Sequence, residues 1–538
     1  MIFREVNSDF LLSYTKALGN FQINTSLGGN IMNQKDHYSA LSANQLVIPG
    51  VYNFSNTDVP LASDMRRYEK EIRSLYGLAI LSYKERFFLE LTGRNDWSST
   101  LPGSNNSYFY PSVTTSMVLS DMFELPAFIS FAKLRAGYAQ VGNDTDPYNL
   151  SDTYIFDTPW GDNLIASESS SIANIELKPE KASSYEIGTD LFFFNNRLGI
   201  DFTYYENVNK NQIIATNLPI STGYSKKWIN AGQITSSGIE LLITGTVAKI
   251  KDFSWTATAN YSTNKTIVDE LAEGIDSYTI AGNRVTIIAK EGEEMGAIFG
   301  TGLQKHTDGR LILQDGLPVE DNRLKQIGNY NPDFKLGFTN EFSFGNVTLS
   351  ALLDWSQGGD LFSSTRLIAA TSGNIEETLW GRDQKNGGAH PGIKDSGLPR
   401  EATNSAGETV TYYDGLIADG WMYDNQGNLV ENDVMVQASS YHNKRYKRQN
   451  EEEGMYDATY LKLREVKLGY KVPARVLKNT PVETAKVSVI GRNLFLWTDF
   501  PHGDPETFGM SGQYLIPGVE DYSMPSLRSI GFNVNLTF

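Results

Sequence analysis

The chain has 538 residues, of which 40 % are apolar and 12 % aromatic, and it contains no cysteine. The absence of cysteine excludes disulfide bonds, thiolate nucleophiles and cysteine-ligated metals. The net charge of −17 argues against nucleic acid as a main partner, because phosphate binding needs a basic surface. No apolar run approaches the roughly 18 residues of a transmembrane helix, and the first residues do not match a signal peptide.

Apolar and polar residues alternate with a period of two along the whole chain, which is typical of strands with one apolar face. Most of the predicted strands are close to the ~9–11 residues that cross a bilayer. A change of parity between Leu463 and Val466 predicts a β-bulge near Arg464 and Glu465. The pattern predicts about fifteen strands, at residues 10–17, 20–32, 68–82, 86–95, 108–119, 129–140, 184–194, 197–209, 234–249, 253–264, 333–344, 347–357, 460–472, 485–496 and 528–538.

The connections between these strands alternate between short and long. The short ones lie at 18–19, 83–85, 120–128, 195–196, 250–252, 345–346 and 473–484. The long ones lie at 33–67, 96–107, 141–183, 210–233, 265–332, 358–459 and 497–527. Outer-membrane barrels combine short periplasmic turns with long external loops in this way. A β-sandwich has no reason to place all its long loops at one end, and no fixed period indicates a propeller.

The apolar face of the predicted strands is rich in aromatic residues and almost free of charge. In strand 86–95, Leu89 and Leu91 alternate with Glu90, Thr92 and Arg94. In a large barrel such an apolar face meets lipid and the polar face lines a wet lumen. Aromatic residues near strand ends fit interfacial girdles, namely Trp255, Tyr261, Trp355, Tyr470 and Trp497. We therefore predict an all-β fold, a transmembrane antiparallel β-barrel with long extracellular loops.

The last predicted strand ends the chain at Phe538. A terminal amphipathic strand that ends in Phe resembles the signal read by the barrel-assembly machinery; a chance aromatic terminus is the alternative. Outer-membrane barrels normally have an even number of strands, whereas about fifteen are counted here. We therefore expect the chain to be the C-terminal part of a larger barrel, of 22 strands if seven more precede it.

Several residue strings resemble the SusC-like TonB-dependent transporters of Bacteroidetes outer membranes (the RagA/SusC family). They occur in family order along about 400 residues. The strings are Asn95–Pro102, Leu134–Tyr138 with Val141–Asn143, Glu176–Glu180 with Ser184–Gly188, Ser237–Leu241, Ile327–Asn329 with Asn331–Phe334, Tyr460–Arg464 and Gly491–Leu494.

This resemblance implies active import of a nutrient across the outer membrane of a Gram-negative bacterium. A SusD-like lipoprotein would cap the outer face, and the TonB complex would supply energy. The resemblance favours a glycan or oligosaccharide as substrate and leaves a peptide open. It covers residues 1–538 as barrel, and we expect the signal peptide, TonB box, plug domain and early strands to be absent from this chain. No cofactor or metal is implied.

The predicted external loops contain aromatic residues that could stack on sugar rings, and acidic residues that could bind sugar hydroxyls. The alternative is that these side chains pack the loops or contact the lipoprotein. The candidates for ligand contact are Asp96, Trp97, Trp160, Trp380, Trp421, Tyr423 and Asp424.

Two kinds of charged cluster have open interpretations. Asp144 with Asp146, and Asp308 with Asp315, could bind calcium, but neither has EF-hand spacing, and solvated acidic turns are the alternative. The run Lys444, Arg445, Lys447 and Arg448 precedes Glu451–Glu453. It could contact lipopolysaccharide phosphates or an acidic partner, or form a solvated charged loop.

Two other functions remain as alternatives to import. A self-contained passive porin or an adhesin-type barrel would need an even strand count. A surface enzyme on a large β scaffold would need a convergent catalytic set, and no catalytic motif is visible. We therefore predict that the chain is not an enzyme.

Overall fold

The computed structural model describes residues 1–157, 160–161, 163–272, 274–282, 284–389, 401–403, 406–507, 509–511 and 514–538. The chain divides into two compact units. Unit 1 contains residues 1–243, 265–276 and 291–293, and unit 2 contains residues 244–264, 277–290 and 294–538.

All fifteen predicted strands are present, and each overlaps its predicted range. Their bounds are β1 Ile2–Leu18, β2 Phe21–Ser42, β3 Ala62–Tyr83, β4 Phe87–Ser98, β5 Ser107–Val118, β6 Ile129–Asn143, β7 Glu180–Phe193, β8 Leu198–Asn217, β9 Lys226–Ile250, β10 Phe253–Glu270, β11 Phe334–Phe344, β12 Val347–Gln357, β13 Tyr460–Lys471, β14 Thr484–Thr498 and β15 Ser529–Thr537. In unit 1 the strands are hydrogen-bonded in chain order from β1 to β9, and β1 to β8 run antiparallel to their neighbours. In unit 2 the antiparallel order runs from β10 to β15.

The register of unit 1 lines up apolar residues across the strands. Leu91 of β4 lies opposite Ala79 of β3 and Val113 of β5. Val113 in turn lies opposite Tyr138 of β6, whose partner in β7 is Tyr185. Leu91, Val113 and Tyr185 are between 41 and 48 % exposed. A continuous exposed apolar row is not the core of a sandwich, and it is the surface that a lipid-facing sheet presents.

Tight turns close the short connections where the sequence places residues that accept positive φ. Asn195 and Asn196 have φ of 57° and 61°, and Gly345 has φ of 56°. Such values give the turn the twist of the flanking strands.

Three of the predicted long connections are shorter than expected, because strand pairing continues past the alternating segments. The pairing of β2 with β3 extends to Ser42 and Ala62, so the predicted loop 33–67 reduces to 43–61. The predicted loop 210–233 reduces to 218–225, and 96–107 reduces to 99–106. These extensions are mostly polar and carry no regular apolar alternation, so hydrophobic periodicity does not reveal them.

The predicted bulge in β13 is confirmed. Leu352 of β12 pairs with Glu465 and Leu353 pairs with Leu463, which leaves Arg464 without a directly opposite residue. The extra residue shifts the parity of the strand, so the apolar residues before and after the bulge lie on the same face of the sheet.

In unit 1 the connections carry little regular structure. A hairpin joins Tyr154–Phe156 to Ala166–Glu168, and Ser171–Ile172 pairs in parallel with the start of β9. The only α-helix described in this unit is α1 (Leu119–Met122), and a 3₁₀ turn lies at Ile220–Thr222.

In unit 2 the three long connections contain many short elements. The α-helices are α2 (Ser364–Thr371), α3 (Ala438–Arg445) and, in the connection after β13, α4 (Ala474–Leu477). The 3₁₀ turns are Glu376–Leu379, Gln384–Asn386 and Glu451–Gly454. The short strands are Ser277–Gly282, Thr286–Lys290, Ala297–Leu303, Leu311–Gln314, Leu317–Pro318, Glu320–Asn329, Asp360–Ser363, Glu401–Thr403, Thr409–Thr411, Gly415–Ile417, Gly420–Tyr423, Leu429–Glu431, Met435–Gln437, Met455–Asp457, Gly509–Ser511, Tyr514–Ile516 and Val519–Glu520. No helix in the described ranges is both long and apolar enough to span a membrane.

These three connections fold together around a shared hydrophobic core. Ile298 comes from the connection before β11, Phe362 and Leu367 from the one before β13, and Val519 from the one before β15. All four are at most 1 % exposed. A second cluster contains Leu313, Leu416, Ala418, Ala438 and Tyr441. The longest predicted loops are therefore one packed assembly, here called the loop assembly.

A charged network attaches the last connection of the loop assembly to β13. The Lys462 ammonium, 2 % exposed, donates to Asp504 Oδ1 at 2.5 Å and also contacts Glu506. Arg464 Nε donates to Asp354 at 2.6 Å, and the Tyr460 hydroxyl donates to Glu506 at 2.8 Å. Burial raises the pKa of Glu506, but hydrogen bonds from Arg464, Lys462 and Tyr460 outweigh that effect and hold the pKa at about 2.

Phe362→Ala should loosen the loop assembly, because removal of a buried Phe side chain costs roughly 3–5 kcal/mol. Hydrogen exchange of peptides from 271–333 and 499–528 should speed up while that of β11–β14 stays unchanged. Tyr522→Ala, at a side chain 64 % exposed in the same assembly, is the matched control. Equal exchange in the two variants would show that Phe362 does not hold the connections together.

Acid should detach the last connection from β13. Because the folded pKa of Glu506 is below its ordinary value of 4.5, its contribution to stability is full above pH 4.5 and declines as the pH falls toward about 2. Hydrogen exchange of residues 499–507 should therefore accelerate over that range. Glu506→Gln should exchange faster at neutral pH and should lose most of this pH dependence; an unchanged profile would contradict the assignment.

Candidate functional site

The polar face of unit 1 carries a buried network where β3, β4 and β5 approach their connections. Asp96, one of the predicted ligand contacts, is 6 % exposed. It accepts hydrogen bonds from Arg94 Nε at 2.8 Å and from the Tyr110 hydroxyl at 2.5 Å. Arg94 also donates to Ser74 Oγ at 2.8 Å. The Asp96 carboxylate therefore has partners within the chain, and it holds three strands in register.

Asp144 occupies a similar position at the end of β6. Its carboxylate accepts hydrogen bonds from Lys70 Nζ at 2.5 Å, from Thr100 Oγ1 at 3.0 Å and from Ser98 Oγ. The side chain is almost completely buried. The solvated-turn interpretation is wrong for Asp144, whereas Asp146 is exposed. The Lys70 ammonium neutralises the Asp144 carboxylate, which argues against a calcium ion there.

A cavity of about 400 Å³ lies next to the Lys70–Asp144 pair. The residues that line it come from β2, from β3 and from the connection after β6, and they are Gln34, Asp36, Tyr68, Lys70, Asp146, Pro147 and Asn149. Sequence reasoning missed this cavity, because residues 33–67 were assigned to a loop. The only signal in the sequence was Asp146, which was considered as a calcium ligand.

Trp97 does not act together with Asp96. It lies within β4 rather than in a loop, and successive residues of a strand point to opposite faces. Asp96 and Ser98 are buried on the polar face, whereas Trp97 is 40 % exposed on the apolar face. Its place at the end of an apolar face fits an interfacial aromatic residue.

Two predicted aromatic residues are open to solvent. Trp160 is 80 % exposed at the tip of the 154–168 hairpin, where its N–H and C=O both pair with Asn163. Tyr423 is exposed at the end of the short strand 420–423. Both rings are free to meet a ligand or a partner.

Trp380 packs against the loop assembly at its surface. Its ring meets Tyr441 edge-on, with centroids 5.7 Å apart, and its carbonyl accepts a hydrogen bond from His442 Nε2 at 2.8 Å. Burial lowers the pKa of His442, which keeps that ring neutral. Trp380 therefore has packing contacts, as the alternative expects, and it remains 40 % exposed.

Trp421 and Asp424 are also engaged within the loop assembly. The Trp421 indole N–H donates to Asp308 at 2.8 Å, and Arg310 lies 4.0 Å from the Trp421 ring centroid. The Trp421 hydrogen bond is the main cause that lowers the pKa of Asp308. Asp424 accepts the backbone N–H groups of Asn428 and Gln426 at 2.8 Å, which lowers its pKa and closes a turn.

The basic run in the longest connection is paired with carboxylates of the same assembly. Lys444 and Lys447 both bind Glu320, at 2.6 and 3.1 Å. Arg445 binds Glu453 at 2.9 Å. The acidic run is used in the same way, since Glu452 binds Lys305 at 3.0 Å and Lys325 at 2.9 Å. The first three basic residues of the run therefore have counter-charges within the loop assembly, whereas Arg448 is exposed.

Comparisons with known proteins agree with this architecture. A family model described as TonB dependent receptor-like, beta-barrel matches residues 4–291, which is more than half of the chain. The TonB-dependent receptor P3 of Formosa agariphila is 23 % identical over 99 % of this chain and 52 % of its own length. The TonB-dependent receptor SusC of Bacteroides thetaiotaomicron is 25 % identical over 56 % of this chain and 33 % of its own length.

A solved structure of the RagAB peptide transporter superimposes on all of this chain and on 56 % of its own, with a TM-score of 0.74 and 18 % identity. At that identity the likeness shows the fold. The chain spans about half the length of the curated relatives that it matches along its whole length. The prediction of an antiparallel outer-membrane sheet of the SusC type is confirmed. The chain belongs to the TonB-dependent receptor β-barrel family, whose members lie in the outer membranes of Gram-negative bacteria.

Proposed function

We propose that this chain is the barrel part of a protein that imports a nutrient across the outer membrane with energy supplied through TonB. One observation carries the proposal: an exposed apolar face and a polar face with buried charge networks occur on the same strands of a chain in this family. The apolar face suits lipid, and the polar face suits an aqueous lumen.

The protein would contain further strands before β1. The strand β1 lies at the end of the sheet order, pairs with β2, and has all 17 residues exposed. In lipid each unsatisfied backbone group costs several kcal/mol. The relatives are about twice as long as this chain. These observations support seven preceding strands in a 22-stranded barrel, with a plug domain, a TonB box and a signal peptide before them.

A SusD-like lipoprotein at the outer face is the partner that we propose, because SusC is among the relatives and RagAB has the same fold. We propose a glycan as substrate in line with the SusC resemblance, and keep a peptide as the alternative, since RagAB is a peptide transporter. Phe538, which directly follows β15, would serve as the assembly signal.

A self-contained porin or adhesin is the competing function. It would need β1 and β15 to find partners within this chain. Each has one neighbour in the sheet order of the described residues, β2 and β14 respectively. In the import proposal, the additional strands before β1 supply the missing neighbours of both β1 and β15.

Intact mass and co-purification test the import proposal. The protein isolated from native outer membranes should have about twice the 59.9 kDa of this chain and should carry a lipoprotein with it. Uptake of its substrate should stop when TonB is deleted or the proton gradient is dissipated, while surface binding continues. A folded 60 kDa barrel with gradient-independent uptake would establish the porin alternative instead.

Trp160 and Tyr423 are the predicted aromatic contacts that keep free rings, and we propose that Trp160 meets the ligand or the lipoprotein. Trp160→Ala should lower uptake several-fold without changing hydrogen exchange elsewhere, because the side chain is 80 % exposed. Trp380→Ala is the contrasting variant, since it should expose the loop assembly to exchange. Wild-type uptake by Trp160→Ala would remove this residue from the site.

A further inference from the structure

We propose that the cavity bounded by β2, β3 and the connection after β6 binds a positively charged group of the imported ligand, an ammonium or a guanidinium. The proposal rests on the import function, and it adds the chemistry that this cavity selects. The cavity volume of about 400 Å³ lies within the ~300–1,000 Å³ of typical small-molecule sites.

Strand register fixes one wall of the cavity. Gln34 lies directly opposite Lys70, and Asp36 lies directly opposite Tyr68. Gln34 and Asp36 are two residues apart on β2, and Tyr68 and Lys70 are two apart on β3. All four side chains therefore emerge on the same, polar face. A wall built on paired strands is positioned more accurately than one built on a loop alone.

The charges of the cavity are not balanced within the chain. Lys70 is its only cation, and that ammonium is bound to the Asp144 carboxylate at 2.5 Å. Asp36 Oδ1 is buried and has no hydrogen-bond partner among the residues that the structure describes. Asp146 forms no ion pair in the part of the chain that the structure describes. Asp36 and Asp146 are therefore the two carboxylates of the cavity without a counter-charge among the described residues. Asp146 is exposed to solvent, whereas Asp36 has one buried oxygen and gains more from a cationic partner.

An aromatic ring completes the recognition surface. Tyr68 lines the cavity, and Tyr148 stacks against it with centroids 6.1 Å apart and ring planes 27° apart. The Tyr148 hydroxyl accepts a hydrogen bond from the Glu69 N–H at 3.3 Å, which anchors the stack. A cation over an aromatic face is attracted by the negative face of the ring, and the adjacent Asp36 adds a charged hydrogen bond.

Other ligand charges fit this cavity less well. An anionic group would meet the carboxylates of Asp36 and Asp146. A neutral sugar would supply hydrogen-bond donors but would leave both negative charges uncompensated. The cavity therefore selects a cation, whether it comes from an amino sugar or from a Lys or Arg side chain of a peptide.

Calorimetric titration of the purified full-length protein tests the proposal, because binding does not need TonB. The probes are two trisaccharides and two tripeptides. The trisaccharides are the trimers of glucosamine (cationic) and of N-acetylglucosamine (neutral), and the tripeptides are trilysine (cationic) and triglutamate (anionic). At least one cationic trimer should bind, with an affinity that falls as salt rises. Asp36→Asn and Asp146→Asn should each weaken that binding by roughly tenfold, as expected for loss of a charged hydrogen bond.

The controls separate charge from folding. Asp36→Glu keeps the charge and should retain most of the binding. Asp121→Asn makes the same chemical change in α1, which follows the opposite end of β5, and should have no effect. Heat-modifiable migration of each variant confirms that the barrel has assembled.

The outcomes are distinct. Binding of the glucosamine trimer alone supports the proposal with an amino sugar as the source, and binding of the lysine trimer alone supports it with a peptide. Equal affinity for the neutral trimer, no effect of Asp36→Asn, or no binding of any cation would overturn it. The last result would leave the import proposal standing, because TonB-dependent uptake is measured separately.

Discussion

The need to pair every backbone N–H and C=O group away from water is the constraint on which this structure depends. It accounts for long antiparallel strands joined by minimal turns at Asn195, Asn196 and Gly345. Pairing fixes the register, and the period of two then decides which side chains meet lipid. The exposed row from Ala79 to Tyr185 follows from that register, as does the buried position of Asp96 one residue from the exposed Trp97.

Charged side chains on the polar face attach the connections to the strands. In unit 1 the Lys70 ammonium of β3 binds Asp144 at the end of β6. In unit 2 the Lys462 ammonium of β13 binds Asp504 of the last connection. Each lysine would be costly if it were left buried alone, so strand and connection stabilise one another. Lys462 belongs to the string Tyr460–Arg464, which resembles the family, so that string has a structural role in attaching the last connection.

Strand positions were predictable because alternation is a local signal. All fifteen strands, the turn at Asn195 and Asn196, and the bulge at Arg464 follow from it. The extensions of β2 and β3 were missed, because their polar residues carry no apolar period. The loop assembly was also missed, since its core unites Ile298, Phe362 and Val519 from connections far apart in sequence, and no local pattern reveals such contacts.

The aromatic candidates show why residue type alone does not locate a binding site. Trp380 and Trp421 have the chemistry that a sugar site needs. In the folded chain, however, the Trp380 ring packs against Tyr441, and the Trp421 indole N–H donates to Asp308. A ligand binds where side chains keep unused hydrogen-bonding capacity or unbalanced charge after folding. On the polar face of unit 1, Asp36 meets that criterion, although no motif in the sequence singles it out. The extended pairing of β2 and β3, which obscured Asp36 in the sequence, is also what holds it in place beside Tyr68.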